Sequence, residues 1–192
     1  MDNVRMNPQW RQHLPIPAQV RDSRVMGIRY YAYAFKADQA EQATADPASA
    51  LSDDPFADAW GLEPGVDAGP ATGVQRLSES DMLYLDKAWR HLQRVTAPVS
   101  GEPKRPAHRM FEGEPGWYGR PVERTLAPET MPEIAADLAL LIDEDVADHV
   151  RSKPCFGDPD GEVDYVLDYL ARAREFVAGL VETGRGMVYL IG

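Results

Sequence analysis

Asp86, Lys87 and His91 are the residues whose types and spacing best suit chemistry. A carboxylate, an ammonium and an imidazole close together can share proton transfer, because imidazole titrates near neutral pH. Asp86 and Arg90 lie four apart, as do Lys87 and His91, so on a helix each pair shares a face. The same spacing equally suits an exposed, salt-bridged face opposite a buried Trp89.

Other candidates carry weaker patterns. Asp158, Asp160, Glu162 and Asp164 alternate, but Gly161 is fourth, where a calcium loop of the EF-hand type needs glycine sixth. Helix capping explains them without a metal. His13, His91, His108 and His149 lie far apart and form no HExxH pair. Cys155 as a nucleophile would need a base supplied by the fold, such as His149. No nucleophile elbow, phosphate loop or dinucleotide glycine pattern occurs, so no cofactor or metal is expected. Arg105, His108, Arg109, Trp117, Tyr118, Arg120 and Arg124 form one basic, aromatic stretch. It suits an anion or a partner's acidic side chains, or it neutralises the acidic segment Ser52–Leu77 within the same domain.

The elements that must position these residues follow from periodicity. Ile28–Phe35 is aromatic-rich, has apolar bulk on both faces and predicts a strand covered on both sides. Ala37–Ala45 predicts a short helix stopped by Pro47, and Ser52–Leu77 a surface loop without structure of its own. Ser78 and Asp81 resemble a capping box opening a helix that buries Met82, Leu85, Trp89 and Leu92 and ends before Pro98. Residues 97–121 read as irregular and Val122–Leu126 as a short strand. A helix opens near Pro128 or Pro132, capped by Thr130 and Glu133, and buries Met131, Ile134 or Ala135, Leu138, and Leu141 or Ile142. Gly161–Thr183 predicts a long helix with the stripe Val163, Val166, Leu167, Leu170, Val177, Leu180 and Val181. Gly184 suits its C-cap, and Met187–Ile191 reads as a buried strand. The expected fold is one α/β or α+β domain, with a small mixed sheet in which the strands near 28–35 and 187–191 are neighbours.

Composition bounds the function. With 44% hydrophobic and 27% charged residues among 192, the chain reads as globular. No apolar run approaches the roughly 18 residues that span a bilayer. A polar, proline-punctuated start and a single cysteine lead to an expected cytoplasmic location. The net charge of −11, concentrated in residues 36–81 and 125–192, opposes nucleic-acid binding and favours at most a cationic partner.

Met26-Gly27-Ile28-Arg29-Tyr30-Tyr31, the segment Leu85-Asp86-Lys87-Ala88-Trp89-Arg90-His91-Leu92, and the tail Gly184-Arg185-Gly186-Met187-Val188-Tyr189-Leu190-Ile191 resemble the YfbM-like family of bacterial proteins, a domain of unknown function. Tyr118-Gly119-Arg120-Pro121 and Leu126-Ala127-Pro128-Glu129 are similar to that family's glycine turn and following helix start, with Ala127 where the family usually has a capping Thr. The resemblance spans 26–192. It implies a compact α/β fold, supplies no activity, and leaves 1–25 as an N-terminal extension, with Met1 and Met26 as alternative starts.

Acidity without a catalytic motif leads to the expectation of a non-catalytic binding protein, such as an immunity-type inhibitor of a basic toxin. Its candidate contacts are Asp53, Asp54, Asp58, Asp143, Glu144, Asp145, Arg120 and Trp117. The alternatives are a small enzyme with a site around Asp86 and His91, and a homo-oligomeric structural protein.

Overall fold

A computed structural model describes residues 27–59, 77–98, 102–114, 121–154 and 158–192. Tyr30–Phe35 forms β1, and its neighbour on one side is β4, Gly186–Ile191. On the other side lies β2, Met82–Asp86, while β3, Val122–Leu126, pairs with β4. The order is β2-β1-β4-β3, and every pairing is antiparallel, so the domain is α+β and the sheet is not mixed. The two strands expected as neighbours are the central pair.

Both faces of that pair are covered. Tyr30 and Tyr189 stack at 5.4 Å within the main core, while Phe35 and Val188 pack with Ala43 in a second cluster. Ala43 belongs to α1, Ala40–Ala45, which follows a 3-10 turn at Ala37–Gln39. Gly186 is required where β4 begins: a Cβ there would collide with the Phe35 ring and lie 2.6 Å from the Leu126 carbonyl oxygen.

The segment expected as a helix from Ser78 divides differently. Ser78 closes a turn through its carbonyl, which accepts from Asp81 N at 2.8 Å, and β2 follows. Met82, Leu83, Tyr84 and Leu85 are all buried. A continuous apolar run inside a two-sided layer outweighs the helical spacing of Met82, Leu85, Trp89 and Leu92. Only Trp89–Thr96 is helical, as α3, and Trp89 is 2% exposed with its indole N–H donating to the Ile28 carbonyl.

Within the loop expected at 52–77, Pro55–Asp58 forms the short helix α2, N-capped by Asp54. Residues 60–76 lie outside the described residues. Pro106–Phe111, expected to be irregular, is a 3-10 segment burying Ala107, Met110 and Phe111.

Met131–Ala139 forms α4, but Thr130 makes no side-chain cap; its hydroxyl donates to the Ala127 carbonyl. The helix ends before Leu141, which is buried, and Ile142, which is exposed. Asp143–Arg151 then forms α5, an element the acidic sequence concealed. Pro159–Thr183 forms α6, capped by Asp158 and ended by Gly184 at φ 62°, the left-handed conformation glycine adopts without strain. Its buried stripe recruits Tyr169, Ala173 and Phe176, whereas Val181 is exposed. α6 packs against α4, α5 and β2. No described helix is long and apolar enough to cross a membrane. The proposed extension at 1–25 and the alternative start at Met26 fall outside the described residues.

Candidate functional site

Asp86 ends β2 in a left-handed conformation, φ 41°, the one non-glycine residue with positive φ among the described residues. Asp tolerates this conformation better than most residues, yet it is uncommon and favours positions with a task. The register shifts beside it: Tyr30 pairs with Asp86 and Tyr31 with Tyr84, leaving Leu85 as an extra residue on β2. Such a bulge re-aims the side chains around it.

The carboxylate is thereby placed among donors. Its Oδ1 accepts from Arg29 Nε at 2.8 Å and from Tyr84 Oη at 3.0 Å. Its Oδ2 accepts from Tyr165 Oη at 2.8 Å, and Tyr165 Oη in turn accepts from Lys87 N at 3.2 Å. Burial pushes the Asp86 carboxyl upward, but hydrogen bonds from Tyr165, Arg29 and Tyr84 outweigh it and hold the group below the usual carboxylate value. Burial, then contact with Asp86, pushes the Tyr165 hydroxyl far up, so it stays a donor. Tyr31, Tyr84, Tyr165 and Tyr169 pack edge to face or tilted around the ion pair. Arg29 also lies over the Phe56 ring at 5.2 Å. A carboxylate so supplied with donors is an anchor between sheet and helix and a poor proton acceptor.

His91 has different partners. Its Nε2 lies 3.4 Å from Glu162 Oε1, and its ring meets His149 edge-on at 6.2 Å. Burial lowers the affinity of both imidazoles for a proton; Glu162 partly offsets this at His91, while Lys153 adds to it at His149. Asp86 and His91 share no hydrogen-bond or ion-pair partner among the described residues. Asp86 reaches Tyr165 and His91 reaches Glu162, about one turn apart on α6.

The basic stretch is also internally engaged. Arg105 Nη2 lies 2.8 Å from Asp137 Oδ1, and the other carboxylate oxygen accepts from Ala107 N at 2.9 Å, which ties the 3-10 segment to α4. His108 Nδ1 lies 3.1 Å from Thr96 Oγ1, and Arg109 pairs with Glu133. These partners are not in the 52–77 segment. Trp117, Tyr118, Arg120 and Cys155 lie outside the described residues.

The acidic candidates divide in two groups. Asp54 Oδ1 accepts from Ala57 N, and Asp58 Oδ2 accepts from Tyr33 Oη at 3.1 Å, so two of the first three serve the fold; Asp53 is exposed. Asp143 pairs with Arg174 at 2.8 Å. Glu144 and Asp145 are exposed and form no ion pair among the described residues. No cluster of three or more metal-binding side chains occurs among the described residues. Sequence reasoning missed Arg29, Tyr84 and Tyr165 altogether; the one local signal was a strand-ending Asp after an apolar run.

No family model matches the chain, and no curated protein matches it by sequence. Among solved structures, the crystal structure of YfbM from Escherichia coli, a protein of unknown function, is similar with a TM-score of 0.50 at 11% identity. The match covers 86% of this chain and 100% of that one. At that identity the likeness concerns the backbone alone, and it establishes a distant YfbM-like fold.

Proposed function

We propose that this chain is a non-catalytic, cytoplasmic binding protein for a basic protein partner, of the kind an immunity protein provides against a toxin. The observation that carries the reading is where the carboxylates stand. Asp86, the strongest catalytic candidate, is supplied with donors from Arg29, Tyr84 and Tyr165, whereas Glu144 and Asp145 face solvent with no cation beside them among the described residues. Unpaired surface carboxylates steer a cationic partner and cost the fold little.

Capture of a partner from the native host, followed by association kinetics across salt concentrations, tests the proposal. A basic partner whose association slows steeply with salt supports it, as does several-fold slower association after Glu144→Gln with Asp145→Asn. Recovery of no basic partner, together with turnover of a small molecule that His91→Ala abolishes, overturns it in favour of an enzyme.

A further inference from the structure

Leu140 and Ile142 are the two most exposed large hydrophobic residues among those described, at 73% and 61%, and they flank Leu141 at 8%. Leu140 is the C-cap of α4 and Ile142 the N-cap of α5. An N-cap is a position where folding favours Ser, Thr, Asn or Asp, and the apolar Ile142 side chain there satisfies no backbone donor. Backbone groups of both residues bond into the helices they join, but neither side chain is buried. Two large apolar side chains exposed within three residues, one of them at an N-cap, run against both burial and local preference, as functional sites do.

The turn that carries them is held from beneath. Arg174 of α6 donates through Nε to the Leu138 carbonyl at 3.1 Å, through Nη2 to the Leu141 carbonyl, and through Nη1 to Asp143 Oδ1 at 2.8 Å. One guanidinium thus caps the end of α4, the turn itself and the first residue of α5. Side chains presented on a braced turn lose little freedom on binding, which is what an interface anchor needs. Beside them, Glu144 and Asp145 supply unpaired negative charge. An apolar centre with a charged rim is the usual layout of a protein interface, and the sign of the rim selects a cationic surface.

We infer that the Leu140–Ile142 turn is the anchor that inserts into an apolar pocket of a basic protein, with Glu144 and Asp145 meeting lysines or arginines at the pocket's edge. This rests on the binding-protein reading and names the surface that performs it.

The test places a photo-crosslinking amino acid at 140, 142, 53 or 181 of the full chain, in cells of its native host. Positions 140 and 142 should yield an adduct with one basic protein, weakened by Glu144→Gln with Asp145→Asn, and position 181 should not. That protein, once purified, should bind Leu140→Ser/Ile142→Ser at least about tenfold more weakly, chiefly through faster dissociation. An unchanged thermal midpoint establishes that this variant is folded. An adduct with an acidic protein or with a second copy of this chain overturns the inference, as does equal affinity for the double variant. A basic adduct from position 53 alone overturns the anchor but leaves the binding function standing. No adduct from any of the four positions removes both.

Discussion

Tyr165 donates to Asp86 Oδ2 at 2.8 Å, joining the bulged end of β2 to α6 across 79 residues of sequence. Because Arg29 and Tyr84 occupy the other oxygen, one carboxylate holds β2, the residue preceding β1 and α6 in register. Asp86→Asn keeps a residue that tolerates the left-handed backbone while removing the charge. It should destabilise the fold by about 1–3 kcal/mol and Tyr165→Phe by about 1 kcal/mol, with a double variant less destabilised than the sum. The folded carboxyl titrates below its unfolded value, so its contribution is complete above about pH 4 and lost as pH falls further. Denaturant titrations of the four proteins check the coupling; strict additivity would sink it.

The His91–His149 pair makes a second pH prediction of the same sign in a higher range. Burial holds both folded imidazoles below the usual value of 6.5. Protonation would place charge in a site that also faces Arg94 and Lys153, against the single carboxylate Glu162. It would also put hydrogens on His91 Nδ1 and His149 Nε2, which are buried with no acceptor. Their contribution is therefore complete above about pH 6.5 and declines below it. Melting midpoints measured from pH 7.5 to 5.5 should fall, and His91→Gln with His149→Gln should flatten that slope.

Trp89 is a core residue, and its truncation should be severe. Trp89→Ala should cost about 3–5 kcal/mol. In a domain of this size, each kilocalorie lowers the melting midpoint by about 2–4 °C. Near-native melting would place the indole outside the core.

Two glycines should respond in opposite directions. An added Cβ at Gly179 would meet nothing within 4 Å, and the residue sits inside α6, so Gly179→Ala should stabilise by about 1 kcal/mol. Gly186→Ala should destabilise by about 1–3 kcal/mol. Shortening the ring with Phe35→Leu should not fully rescue it, because the Leu126 carbonyl at 2.6 Å is backbone. Calorimetry of the three variants decides.

Legibility in the sequence follows the range of the interactions. α6 can be read because its stripe, Asp158 cap and Gly184 end are local, and β1 and β4 because their side chains fit a pleated layer and little else. β2 escapes such a reading since Met82, Leu85 and Trp89 imitate a helical face, and only tertiary burial of Leu83 and Tyr84 decides otherwise. α5 hides behind its charge: Val146, Ala147 and Val150 alone turn inward. Asp86 stands out in the sequence, but with the wrong neighbours, because Arg29 and Tyr165 lie 57 and 79 residues away. By spacing alone Ile142 can continue the inward face as well as Leu141, and the end of α4 at Ala139 decides for Leu141.

The strand order carries a consequence for how the chain acquires its shape. Among the described residues, β3 has a single strand neighbour, β4, although β4 follows it by sixty residues and comes last of the four strands. During synthesis β1 and β2 can pair early, while one edge of β1 and all of β3 wait for residues 186–191. Such long-range closure is slow and leaves an aromatic strand edge open to other chains in the meantime. The sheet is therefore sealed only when residues 186–191 come between β1 and β3.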